Sequence, residues 1–130
     1  MIVVDASVVL EALLRTPAAR AVESRLFATG ESLHAPHLID IEVAQVLRRY
    51  ESRGELQPQR GQEALADFSD LPLRRYPHDL LLGRIWTLRR NLTAYDAAYV
   101  ALAELLDAPL LTRDRRLAAA PGHGARVELL

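Results

Sequence analysis

The chain opens on an uninterrupted apolar run, Ile2-Val3-Val4, which stops at a carboxylate, Asp5. An apolar run without polar alternation marks a strand buried on both faces, as in the centre of a parallel sheet. The period then changes. Val8, Val9, Ala12 and Leu13 recur at helical spacing and predict a helix over Ala6–Arg15. Thr16-Pro17 predicts the capped start of a second helix. That helix presents Ala18, Ala21, Val22 and Leu26 on one face, runs to about Ala28 and stops near Gly30. Leu33-His34-Ala35, closed by Pro36, is a short second strand, and helices follow over Leu38–Arg53 and from Pro58 to about Ser69.

Further on, Leu73–Tyr76 predicts a third strand, Pro77–Arg90 a helix and Thr93–Asp107 another. Pro109–Thr112 reads as a strand, Asp114–Ala120 as a short helix and Arg126–Leu129 as the last strand. Short strands alternating with helices pair in parallel through right-handed crossovers. The predicted fold class is therefore α/β: a three-layer α/β/α sandwich around a mostly parallel sheet of four or five short strands. Ligand sites in such sheets lie outside the carboxyl ends of the strands. Asp5 stands there, although an Asp at that point also suits the N-cap of the next helix.

Composition narrows the picture. The 130 residues fit one domain, residues 1–130, with a sizeable core. With no cysteine, disulfides and thiolate metal sites are excluded, and a reducing, cytoplasmic setting is expected. The apolar start has no basic segment before it and is broken by Asp5, unlike a signal peptide. The four histidines are scattered and make no ligand pattern. Every basic residue is arginine, and the formal charge is −1.

Three further acids stand out. Ala94–Leu106 is apolar nearly all round, the mark of a buried helix, and it carries Asp96 among Tyr99, Val100 and Ala103. An unpaired carboxylate there costs several kcal/mol or takes up a proton. Thr93-Ala-Tyr-Asp96 also has capping-box spacing, so Asp96 fits a cap, a site or both. Glu42 sits at the edge of the apolar arc formed by Ile39, Val43, Val46 and Tyr50; a solvated position and the rim of a pocket both fit. Asp114 follows the strand ending at Thr112, as a cap or as a second carboxylate beside Asp5. Carboxylates gathered at one sheet edge repel unless a cation intervenes, and an all-oxygen set favours Mg²⁺ or Mn²⁺ over zinc.

These residues carry a family resemblance. Asp5-Ala6-Ser7 after the first strand, Glu42 in Leu38-Ile39-Asp40-Ile41-Glu42-Val43, Asp96 in Thr93-Ala94-Tyr95-Asp96-Ala97-Ala98-Tyr99 and Asp114 in Leu111-Thr112-Arg113-Asp114-Arg115-Arg116 together resemble the PIN-domain nucleases. Among those the chain is most similar to the VapC toxins of toxin–antitoxin pairs, over its whole length. The resemblance implies a Mg²⁺- or Mn²⁺-dependent endoribonuclease whose catalytic, metal-holding acids are Asp5, Glu42, Asp96 and Asp114. Ser7 and Thr112 match the supporting hydroxyls. The products implied carry 5′-phosphate and 3′-hydroxyl ends.

The arginines fit an RNA substrate. With the four acids set aside the remainder is net positive, and three groups, Arg48/Arg49/Arg53, Arg89/Arg90 and Arg113/Arg115/Arg116, fit a phosphate backbone or a solvated surface; the last is best placed, because it flanks Asp114. With few aromatic residues, recognition of RNA by shape and loop context is expected. The resemblance also implies a homodimer and a VapB-type antitoxin laid along an apolar groove. Val8–Leu14 and Ala18–Phe27, with Leu81, Ile85 and Trp86, supply residues for such a groove, although each also suits ordinary core packing. Two other classes compete. A phosphatase or receiver domain needs a second acid next to the strand-end Asp and a late lysine, where this chain has Ser7 and no lysine. A non-catalytic PIN-like binding module would have lost acids that are all present here.

Overall fold

The computed structural model describes residues 1–130. Strand β1 (Ile2–Val4) is followed by α1 (Ala6–Leu14) and α2 (Ala19–Leu26), then β2 (Leu33–Pro36). Helices α3 (Leu38–Ser52) and α4 (Pro58–Asp70) lead to β3 (Leu73–Tyr76). A single 3-10 turn, α5 (Leu82–Thr87) and α6 (Ala94–Leu106) lead to β4 (Leu110–Thr112). The chain ends with α7 (Arg115–Ala119) and β5 (Val127–Leu129).

All five strands are parallel, in the order β3-β2-β1-β4-β5. The unbroken apolar run accordingly forms the central strand: Ile2, Val3 and Val4 are each 0% exposed. Burying three such side chains contributes about 2 kcal/mol apiece. From β1 the chain winds outward to β2 and β3, then crosses back over β1 to β4. Helices α1–α4 pack on one another, and α6 packs on α5 and across β1, β2 and β4. Right-handed crossovers place these two groups on opposite faces of the sheet. The winding reverses at β1 and β4, and a cleft opens beyond the carboxyl ends of those two strands. Helices α1, α3, α6 and α7 all start at that edge. No helix is long and apolar enough to cross a membrane.

Three expectations are corrected. Thr16 does not cap α2, which begins at Ala19 with no side-chain cap; its hydroxyl donates instead to Glu11. The helix expected over Pro77–Arg90 is cut to the turn Asp79–Leu81 and the short α5. Beyond α5 the chain curls through three-residue hydrogen bonds such as Arg89 N–H to Trp86 C=O, which lets Leu81, Leu88 and Leu92 all be buried. The apolar residues assigned to a groove are mostly core. Val8, Val9, Leu10, Leu13, Val22, Leu26 and Leu81 are buried, because α1 is enclosed by α2, α3 and α4. Of the large apolar side chains in that set, only Phe27 and Trp86 are exposed.

The start of α3 depends on a distant residue. His37, its N-cap, offers no side-chain bond, and the Leu38 N–H donates instead to Nε2 of His78 at 2.9 Å, just past β3. Replacing His78 with Ala is expected to cost about 1 kcal/mol of stability. A thermal melt should show the midpoint lower by roughly 2–6 °C; an unchanged midpoint would mean that water substitutes fully for the imidazole.

Candidate active site

Asp5 follows the last residue of the central strand, and its side chain is set by two separate demands. As N-cap of α1, its Oδ1 accepts the Val8 N–H at 3.2 Å. It is also 7% exposed, so each oxygen needs donors. Ser7 Oγ donates to Oδ1 at 2.5 Å, and Thr112 Oγ1, at the end of β4, donates to Oδ2 at 2.5 Å. Both hydroxyls in turn accept backbone N–H groups from the β4–α7 connection. Arg113 N–H donates to Ser7 Oγ and Asp114 N–H to Thr112 Oγ1, each at 3.0 Å. A hydroxyl has one proton to give. With its acceptor side engaged by an amide, that proton is directed to Asp5. The predicted supporting hydroxyls therefore meet at one carboxylate, and they lock the ends of two adjacent strands together.

The other predicted acids surround the same cleft, which has a volume of about 350 Å³ and is lined by Asp5, Glu42, Asp96 and Asp114. Glu42 comes from the second turn of α3, where its Oε1 accepts the Tyr99 hydroxyl at 2.5 Å. Asp96 lies in the first turn of α6, whose N-cap Thr93 accepts the Asp96 N–H at 3.2 Å. Asp114 is the N-cap of α7 and accepts N–H groups from Arg116 at 2.9 Å and Leu117 at 3.4 Å. Capping and placement in the cleft thus coincide at Asp5 and Asp114. Both readings of Asp96 hold as well: it lies within a capped first turn and lines the cleft.

The electrostatics of the cleft favour a cation. Burial pushes the Asp5 carboxyl above its ordinary range against the pull of its hydroxyl donors, and the Asp96 charge adds to the rise. Burial also raises Glu42, offset by the Tyr99 hydroxyl, with the Asp5 and Asp96 charges pushing the same way. Asp96 is raised first by burial and then by Asp114, while Arg116 and Thr93 pull it down. Tyr99 is held neutral by burial and by the Glu42 charge beside it, so it remains a donor.

The acids ring the cleft and do not converge on a point. No three of them lie close enough to form a ready-made ligand group. Asp5, Glu42 and Asp114 are each engaged by protein donors instead. The donor set fits a hard divalent cation all the same, being all oxygen. Mg²⁺ in particular keeps several waters and is commonly held through only one or two carboxylates.

The flanking arginines divide. Arg113 lines the cleft, but its Nε pairs with Glu11 at 3.1 Å and its Nη1 donates to the Leu130 carbonyl at 3.1 Å. Arg115 and Arg116 are exposed, and the Arg116 Nε lies 4.0 Å from Asp114. Arg49, one of the arginines expected around the acidic centre, lines the cleft; sequence reading missed Tyr99 as a positioning group and Glu11 and Tyr50 as cleft residues. For Tyr99 a signal was available: it lies three residues after Asp96, on the same face of α6.

Comparison with known proteins gives a consistent result. The PIN domain family model matches residues 2–122. Ribonuclease VapC12 of Mycobacterium tuberculosis is 44% identical over 130 residues, covering 100% of this chain and 99% of that protein. VapC ribonuclease Mb0985 of Mycobacterium bovis is 49% identical over 117 residues, covering 90% of this chain and 88% of its own length. Among solved structures, VapBC2 from Rickettsia felis, bound to a DNA fragment from its promoter, superposes with a TM-score of 0.70. That match covers 99% of this chain and 98% of the other at 15% identity, a likeness of fold.

Two expectations follow from the geometry. Thr112→Val keeps the shape of the side chain but leaves Asp5 Oδ2 without its buried donor, which should cost about 1–3 kcal/mol in a denaturant titration. Asp96→Asn should act in the opposite direction. Because the raised carboxyls bind protons more tightly in the folded chain, the folded state loses stability as pH rises from the ordinary carboxyl value of about 4 through the raised values. Removing one charge should therefore raise the melting midpoint of the metal-free protein by a few degrees at neutral pH, with the difference vanishing in acid. A lowered midpoint would contradict the repulsion described here.

Proposed function

The chain belongs to the PIN domain family and, within it, to the VapC ribonucleases, and on that premise we propose a specific site and mode of control. Residues 1–130 act as a single nuclease domain, an endoribonuclease toxin whose Mg²⁺ or Mn²⁺ is held by Asp5, Glu42, Asp96 and Asp114. The observation that carries this reading is the meeting of all four acids in one cleft at the reversal of the sheet, with Asp5 fixed by Ser7 and Thr112.

The role of each residue follows from its partners. Asp5 is the fixed ligand, since its donors leave it little rotational freedom. Glu42 is oriented by the Tyr99 hydroxyl across the cleft. Asp96, in the first turn of α6, and Asp114, the N-cap of α7, complete the negative basin and draw the cation in. A divalent cation held by these acids would supply activation of water and charge neutralisation at the phosphodiester. Hydrolysis adds the water oxygen to phosphorus and breaks the P–O3′ bond, leaving 5′-phosphate and 3′-hydroxyl ends. Exposed Arg115 and Arg116 contact the RNA backbone, while Arg113, tied to Glu11, mainly braces the cleft wall.

The toxin works in the cytoplasm on RNA and is silenced by a cognate VapB-type antitoxin. The antitoxin inserts a basic side chain into the acidic cleft. Apolar surface for it, and for a second copy of the chain in a homodimer, remains at Phe27, Leu80, Leu82 and Trp86.

The direct test uses the purified chain and a mixed single-stranded RNA pool. Cleavage is expected with Mg²⁺ or Mn²⁺, ceases with EDTA, and falls at least about a hundredfold in Asp5→Asn and Asp96→Asn, the scale on which essential electrostatic groups act. Mapping of the ends should return 5′-phosphates. RNA binding without cleavage under every metal condition would instead fit a non-catalytic module, and full activity in Asp96→Asn would overturn the assignment of the acids.

A further inference from the structure

A second hollow opens directly off the acidic cleft. Its volume is about 300 Å³, and Ile41, Gln45 and Tyr95 line it together with Glu42, Val46 and Arg49, which also line the cleft. The residues on its rim run against the ordinary logic of a surface. Tyr95 is 63% exposed and Ile41 69% exposed, and each directly precedes one of the site acids, Asp96 and Glu42. On α6 the two tyrosines divide by face: Tyr99 is buried and holds Glu42, while Tyr95 offers its ring to solvent. Neither the core nor any hydrogen bond of the structure uses the Tyr95 ring. Arg49 stands at the junction of the two hollows, exposed and without an acidic partner within ion-pair distance.

An exposed aromatic ring beside an aliphatic wall, one residue from the carboxylates and with a guanidinium between, matches one nucleotide of a single strand. A base stacks on an aromatic face, an aliphatic side chain covers its edge, and an arginine neutralises its phosphate. We propose that the hollow formed by Tyr95, Ile41 and Arg49 is a nucleobase subsite that holds one unpaired base next to the phosphate being cut. It rests on the nuclease reading of the cleft and adds to it how the strand is aligned. Charge complementarity and continuity with the cleft single out this occupant. The hollow leads into the acids at Glu42, and Arg49 supplies positive charge where the strand would pass between the two. The chain is then a reader of unpaired RNA that senses at least one base through stacking, and not by backbone shape alone.

The test is a binding scan independent of cleavage. Labelled single-stranded RNA hexamers of a sequence the protein cuts or, failing any cut, of one it binds are titrated into Asp96→Asn protein with EDTA and followed by fluorescence anisotropy. In a parallel series each base in turn is replaced by an abasic ribose. Stacking of one base is worth roughly 5- to 150-fold in affinity. One abasic position is therefore expected to weaken binding by a factor in that range. Adding Tyr95→Ala should weaken the intact hexamer similarly and erase the sensitivity to that position; Tyr95→Phe should keep it. The proposal is overturned if Tyr95→Ala leaves both the affinity and the abasic profile as they were. It is equally overturned if no abasic position matters, or if Tyr95→Ala changes only self-association in sedimentation, which would make the hollow an interface between copies of the chain. Failure of wild-type protein to cut RNA with any divalent metal would instead sink the nuclease reading, and the abasic profile would still decide the subsite on its own terms.

Discussion

A carboxylate at the end of a buried central strand is costly to ionise, and the architecture of the cleft follows from how that cost is met. Asp5 is 7% exposed and still accepts three hydrogen bonds, from Val8, Ser7 and Thr112. The two hydroxyls are themselves fixed by amides of the β4–α7 connection. Two side-chain contacts, Thr112 to Asp5 and Arg113 N–H to Ser7, therefore join the ends of β1 and β4 where the winding of the sheet reverses. If Asp5 loses its donors, two consequences follow together. A buried polar group is stranded, and the cleft loses the side chain against which the other acids are arranged. Stability and candidate chemistry thus depend on the same atoms.

Around that anchor the fold assembles negative charge and keeps part of it unsatisfied. Helices α1, α6 and α7 each begin beside the cleft, and their first turns or caps contribute Asp5, Asp96 and Asp114. The positive ends of helices tolerate carboxylates there. That support does not cancel the repulsion, since Asp5, Glu42 and Asp96 all hold their protons more tightly than free carboxyls do, with burial as the leading cause. A basin built in this way gives up some stability, a cost that the proposed cation would offset on binding. This is the usual tension between function and stability at a working site. The VapC ribonucleases to which the chain belongs are named for the activity such a basin would serve.

Sequence alone reached much of this structure where the signal is local. The run Ile2–Val4 ending at Asp5, the nearly all-apolar helix carrying Asp96, and the acid two residues past Thr112 are each visible within a few positions. What was not legible joins distant residues or depends on which helix covers which. The Tyr99–Glu42 bond spans 57 positions. The pairing of Arg113 with Glu11, which takes a guanidinium away from any phosphate, has no local signature. The apolar residues of α1 fitted a groove or the core equally by pattern, and only their enclosure by three other helices decides for the core. Similarly, Tyr95 and Tyr99 look equivalent in a string of letters. Only the docking of α6 against β1, β2 and β4 turns one inward and leaves the other exposed.

The central claim is that Asp5 and its neighbouring acids form one divalent-cation site at the end of the sheet. Calorimetric titration of Mn²⁺ into the wild-type chain, Asp5→Asn and Asp96→Asn at neutral pH addresses it without reference to RNA. The account predicts saturable binding to the wild type and its loss or severe weakening in both variants, with the folded state of each verified by circular dichroism. Equal Mn²⁺ affinity in all three proteins, or no binding by the wild type, would contradict it.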